Sequence, residues 1–119
     1  MLPFSYLTES ILSLFYPICC EACDTKLSAD ENVICLNCIA TLPLTTSHLA
    51  EQEAMRRLVG RVAIQHAIAL TYFSKDGIMQ KLLHLLKYKN RKSIAHFLGK
   101  LLAHELNQLN WKNNIDIIV

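Results

Sequence analysis

Glycine and proline are scarce in this sequence, three of each in 119 residues. That leaves little material for a long flexible linker. The N-terminus, Met1-Leu2-Pro3-Phe4, lacks basic residues, and Thr8-Glu9-Ser10 breaks the first apolar run before it reaches signal-peptide length. An export signal is therefore not expected. No run of about eighteen apolar residues occurs, so no membrane span is expected either. The three glycines, Gly60, Gly77 and Gly99, stand too far apart to make a phosphate-cradling loop. A cytoplasmic location is the default expectation, and it suits free thiolates.

Apolar residues are plentiful, at 52% of the chain, which excludes wholesale disorder. The length fits one domain, or a small module plus part of another. The formal net charge of +2 hides an asymmetry. Residues 1–55 carry one basic residue, Lys26, against seven acidic ones, whereas residues 56–119 carry eleven basic against three acidic. Such a split has two readings: an interaction surface, or mutual attraction of two parts of one fold.

Cysteine is the residue that organises the chain. Cys20-Glu21-Ala22-Cys23 and Cys35-Leu36-Asn37-Cys38 are two Cys-x-x-Cys pairs with eleven residues between them. Each pair can present two sulfurs to one ion from a tight turn, and four thiolates close a tetrahedral zinc site. The interval has the length of a short β-hairpin. The pattern is that of a zinc ribbon holding one Zn2+ through Cys20, Cys23, Cys35 and Cys38. Disulfides, redox chemistry and inert thiols are the alternatives. A thioredoxin-like redox pair would follow a strand, and none precedes Cys20. Cys19 offers a competing register, because Cys19 with Cys23 makes a Cys-x-x-x-Cys spacing that zinc also accepts. Cys20 is preferred because its gap matches that of the second pair. Asp24 follows the first pair, where a metal-binding knuckle needs a left-handed residue that Asp tolerates. Ala29-Asp30-Glu31-Asn32 is the expected hairpin turn, with residues 33–35 returning as a strand. Knuckle N–H groups, with Lys26 as a further candidate, would offset the negative charge of four thiolates around one divalent ion.

Around this centre the periodicity predicts further elements. Phe4, Leu7, Ile11, Leu14 and Phe15 recur at helical steps over residues 4–16, and Pro17 stops that helix. A helix over 51–58 is expected. Residues 62–73 alternate as a strand, with Val62, Ile64, His66, Ile68, Leu70 and Tyr72 on one face. The small residues on its other face suggest that a second layer passes close, with His66 a satisfied buried histidine or a strand-end residue. Helices are predicted over 75–88 and 93–109, and Gly99 inside the second is expected to serve close packing. His96, Lys100 and His104 line the polar face of that helix as a solvated set. Lys87-Tyr88-Lys89-Asn90-Arg91-Lys92 places four basic residues in six. It reads as a solvated loop or as a contact for phosphate or single-stranded DNA through Lys87, Lys89, Arg91 and Lys92, with Tyr88 as a stacking ring. Ile115-Asp116-Ile117-Ile118-Val119 reads as a buried parallel strand, from which the chain is expected to be part of something longer.

The order of these features resembles the N-terminal half of the ComF family of competence-protein-F-like proteins. Phe15-Tyr16-Pro17 leads into the two cysteine pairs. Leu42-Pro43, Tyr72-Phe73, Leu82-Leu83-His84-Leu85-Leu86-Lys87-Tyr88, Leu98-Gly99 and Asp116-Ile117-Ile118-Val119 follow. The resemblance spans nearly the whole chain. It implies an N-terminal zinc ribbon joined to a phosphoribosyltransferase-type domain, with a role in competence and in DNA uptake or utilisation. The family's acidic, Gly/Thr-rich phosphoribosyl-pyrophosphate loop has no counterpart here, so no catalytic residue is carried over. Some members hold a second cysteine set, which residues 39–61 lack, so a single zinc is expected.

The fold expected from these readings is α+β: a zinc ribbon, then a strand and two helices leading into a truncated phosphoribosyltransferase-like α/β domain. Its parts are an N-terminal amphipathic helix over 1–17, the ribbon over 18–43 and the incomplete domain over 44–119. The implied partners are single-stranded DNA, a protein of the competence machinery, or the rest of the transferase-like domain. No enzymatic activity is expected of this chain alone. A free-standing zinc-ribbon nucleic-acid module and a purely structural zinc-held fragment are the competing functions.

Overall fold

A computed structural model of the chain describes residues 11, 12 and 14–117. The chain divides into two compact units, with the boundary between Thr41 and Leu42. Among the described residues the structure is mostly helical, and β-pairing is limited to two isolated antiparallel bridges.

In the first unit, residues 11, 12, 14 and 15 are helical, and Tyr16 N–H donates to the Leu12 carbonyl (2.8 Å). The remainder of the helix expected over 4–16, residues 4–10 and 13, lies outside the described residues. Next, the chain doubles back on itself around the first cysteine pair. Cys19 and Lys26 form an antiparallel bridge, and Leu27 N–H donates to Ile18 O (2.9 Å). The expected hairpin goes no further than this. Residues 32–34 bend instead of returning as a strand, and the chain enters α1, Leu36–Ala40. The physical reason lies in the second cysteine pair. Placing two side chains on one side at a three-residue step suits a helical turn, because residues three apart are neighbours on its surface.

The second unit contains α2 (Ser47–Leu58), α3 (Ile78–Lys89), α4 (Lys92–Gln108) and a short 3-10 turn, Trp111–Asn114. Each main helix falls within a few residues of its expected span. Gly60, at φ +81°, takes the left-handed conformation just after α2 that closes its end. Between α3 and α4 the turn is minimal: Asn90 is left-handed (φ 52°, ψ 36°), and Lys92 N–H returns to Asn90 O (3.0 Å). The two helices pack together, with Leu82 of α3 and Ile94 of α4 fully buried and Met79 nearly so. His96, Lys100 and His104 are exposed on α4, as its pattern requires.

Four expectations are corrected here. The chain over 62–73 is not a strand: it bends at Val62, Gln65 and Leu70, and its one bridge joins Thr71 to Leu44. Alternation favours a strand only where neighbours supply hydrogen-bonding partners. Among the described residues only 43–45 do so, through Thr45 N–H to Leu70 O (3.0 Å) and Tyr72 N–H to Pro43 O (2.9 Å). His66 is correspondingly at the surface. Its Nδ1 lies 2.9 Å from Glu51 Oε1, and its ring packs on Trp111 with centroids 4.9 Å apart. Residues 115–117 form no strand, and Ile117 is 77% exposed; residues 118–119 lie outside the described set. Finally, Gly99 is not a close-packing residue, since a Cβ there would meet nothing within 4 Å. Gly99→Ala is therefore expected to stabilise the second unit by about 0.5–1 kcal/mol, the usual helix-interior difference. Chemical denaturation of the two proteins reads this directly, and a loss of stability would show that some neighbour occupies the space.

Candidate metal centre

The four cysteines of the two pairs converge. The Sγ atoms of Cys20, Cys23, Cys35 and Cys38 all lie within 4.8 Å of one another. Cys23 Sγ and Cys35 Sγ are 3.6 Å apart. A Zn–S bond of about 2.3 Å places two sulfurs of a tetrahedron about 3.8 Å apart, so this spacing fits zinc. It is far longer than a disulfide bond of about 2.05 Å, and all five cysteines are free thiols.

The first pair is positioned by a knuckle. Cys20 N–H donates to Thr25 O (2.8 Å) and Asp24 N–H to Cys20 O (2.9 Å). Closing that loop requires a left-handed residue, and Asp24 supplies it with φ 62°. Glu21 N–H donates to Val33 O (3.0 Å), which brings the second pair alongside. Cys35 then caps α1 in extended conformation, and Cys38 follows one turn later. Cys20, Cys35 and Cys38 are buried, while Cys23 is exposed.

The electrostatics suit an ion held by thiolates. Cys20 Sγ accepts N–H bonds from Ala22 (3.4 Å) and Cys35 (3.3 Å). These are the knuckle N–H groups expected to offset the negative charge. The hydroxyl and backbone of Thr25, with Thr25 Oγ1 3.2 Å from Cys23 Sγ, and then Cys20 draw the Cys23 thiol down to about 6. Burial, reinforced by the neighbouring sulfurs, pushes the Cys38 thiol up. A bound cation reverses that upward push, because it stabilises every thiolate around it.

Cys19 does not join the cluster. It is exposed, and its thiol donates to Pro17 O (3.6 Å). The bridge it forms with Lys26 turns consecutive side chains to opposite sides, so Cys20 faces inward. The structure therefore favours the Cys20 register.

Glu31 is an organising residue that the hairpin reading overlooked. Its carboxylate accepts from Ser28 N–H (2.8 Å) and from Leu36 N–H (2.7 Å), the latter at the start of α1. The sign was present as Ser28-Ala29-Asp30-Glu31, a capping-box pattern used here without a helix at Ser28. The Ser28 and Leu36 N–H groups hold the Glu31 carboxyl below its ordinary value. A carboxyl lowered on folding stabilises the fold above its unfolded pKa of about 4.3 and loses that effect as pH falls through the folded value. Thermal melts across the acid range are thus expected to show a smaller pH-dependent loss in Glu31→Gln than in the parent. Identical acid limbs would remove Glu31 from this role.

Lys87, Tyr88, Lys89, Arg91 and Lys92 gather at the α3–α4 turn, all exposed. Tyr88 is 64% exposed; its ring lies against His84 (centroids 4.6 Å apart), with Lys87 Nζ 5.5 Å from its centre. Among the described residues no helix is long and apolar enough to cross a membrane. Comparison of the chain with protein-family models, with curated proteins and with solved structures finds no match. The four-cysteine cluster thus stands as a candidate metal centre on its own geometry.

Proposed function

We propose that the first unit is a structural zinc module and that the chain is the N-terminal region of a ComF-type protein acting in competence or DNA utilisation. The convergence of four sulfurs within 4.8 Å carries the metal reading. Zinc is the ion of choice because four thiolates in tetrahedral array suit it better than any oxygen-seeking cation. Cys20, Cys23, Cys35 and Cys38 would hold it, and four protein ligands leave no open position for catalysis, so its part is to hold the fold. The family reading is supported by the sequence order, from Phe15-Tyr16-Pro17 through the Leu-Lys-Tyr segment to Asp116-Ile117-Ile118-Val119. A reducing cytoplasmic setting would keep the thiols available. Elemental analysis of the purified protein tests the metal reading: about one zinc per chain is expected, and protein without zinc under reducing conditions removes it. Loss of DNA uptake in cells lacking the protein, restored by the intact chain in its natural context, tests the family reading.

A second reading is favoured by the exposed ring of Tyr88 amid basic residues. The α3–α4 turn would bind single-stranded DNA, with cations on phosphates and Tyr88 against a base. Fluorescence anisotropy with a labelled oligothymidine is expected to show affinity that falls steeply with salt. Charge reversal at Lys89, Arg91 and Lys92 should weaken binding at least tenfold and flatten the salt slope. Binding that survives those changes would sink this reading.

A further inference from the structure

We propose that the metal centre is releasable by oxidation, with hydrogen peroxide joining Cys23 to Cys35 as a disulfide and discharging the zinc ion. The proposal rests on the zinc reading above. Of the four sulfurs, only that of Cys23 belongs to an exposed residue, so a small polar oxidant meets it first. Its partner is selected by geometry. Cys35 Sγ stands 3.6 Å away. Cys20 Sγ is engaged by two N–H groups, which lower its readiness to attack. Cys19 is exposed, but its thiol is turned to the Pro17 carbonyl and lies outside the cluster.

The step balances in two stages. The Cys23 thiolate attacks one peroxide oxygen; the O–O bond breaks, and hydroxide leaves and takes a proton to become water. Cys23 is then a sulfenic acid. The Cys35 thiolate attacks Cys23 Sγ; the S–S bond forms, the S–O bond breaks, and hydroxide leaves as a second water after taking up a proton. Two sulfurs have each given up one electron, and one peroxide has been reduced to two waters. The ion loses two of four ligands, and Cys20 with Cys38 alone does not complete its coordination. Because three of the cluster's cysteines are also buried residues of the first unit, release of the ion unfolds that unit. The centre then acts as a reversible sensor, since a dithiol reductant restores both thiolates.

The experiment uses the zinc-loaded full chain. Peroxide is added, and freed zinc is followed by the absorbance of 4-(2-pyridylazo)resorcinol. The protein is then alkylated, cut after Glu21, Lys26 and Glu31, and analysed by tandem mass spectrometry. The cuts separate Cys23 from Cys19 and Cys20 on one side and from Cys35 and Cys38 on the other. Loss of about one zinc per chain is expected, with residues 22–26 linked to Cys35, and dithiothreitol plus zinc restoring the parent state. Cys19→Ser should behave identically. A bond through Cys19, Cys20 or Cys38, or release accompanied only by sulfinic acid, overturns the proposal. Zinc-loaded protein that keeps its metal under peroxide overturns it alone, leaving the zinc reading intact. A chain that binds no zinc before peroxide sinks both.

Discussion

Cys35→Ser/Cys38→Ser is expected to take the zinc content from about one per chain to none and to unfold residues 18–41. The magnitude follows from how little else holds that unit. Among its described residues the buried ones are Cys20, Ala22, Leu27, Ile34, Cys35 and Cys38, and half of these are proposed ligands. Leu27 and Ile34 contribute about 1.5–3 kcal/mol each by burial. Ordering the backbone costs about 1–2 kcal/mol per residue, and the stretch from Ile18 to Thr41 is far too long for that burial to offset. Structural zinc in finger peptides contributes on the order of 10–16 kcal/mol, well above what those two burials supply. Hydrogen exchange by mass spectrometry, with and without a chelator, reads the result: amides of Cys20, Glu21, Asp24 and Leu27 should lose protection when zinc leaves. Cys19→Ser serves as the control and should keep both metal and protection. Retention of zinc by the double variant, or its loss in Cys19→Ser, would show that the ligand set is wrong.

The second large effect belongs to the helical unit. Leu82→Ala is expected to cost about 2–5 kcal/mol, the range for deleting a fully buried leucine and leaving a cavity. Leu82 of α3 is 0% exposed, as is Ile94 of α4, and the two helices are in contact. Small domains have only about 5–15 kcal/mol in reserve, so the variant should melt far below the parent. Leu83→Ala is the matched control. Leu83 is 42% exposed one position along the same helix, and its truncation should cost under about 1 kcal/mol. Equal effects at the two positions would mean that the helix faces are assigned wrongly.

The site was legible because its chemistry is local. Two Cys-x-x-Cys pairs name the candidate ligands and their spacing in the sequence itself, and Asp24 was readable as the left-handed residue closing the first knuckle. The hairpin was not, because the helical turn that starts at Leu36 competes with it for the same residues. The function of Glu31 was written as Ser28-x-x-Glu31, yet the pattern normally marks a helix start, and here it bridges a loop to the next element. Residues 62–73 misled for a different reason. Period-two alternation states which side chains share a face, but a strand exists only when another segment offers its hydrogen bonds, and that segment is not written in the alternating residues.

Sequence alone made the helices of the second unit legible to within a few residues, because 3.6-residue periodicity is satisfied within each segment's own backbone. It also determined the two cysteine pairs, since each pair needs only its own turn. Tertiary structure decided which sulfurs meet, that Cys19 stays out, that Cys23 alone of the four is exposed, and that Leu82 rather than Leu83 is enclosed. Those outcomes depend on contacts between residues distant in sequence. Burial and sulfur-to-sulfur distance are properties of the packed chain, and no short pattern encodes them.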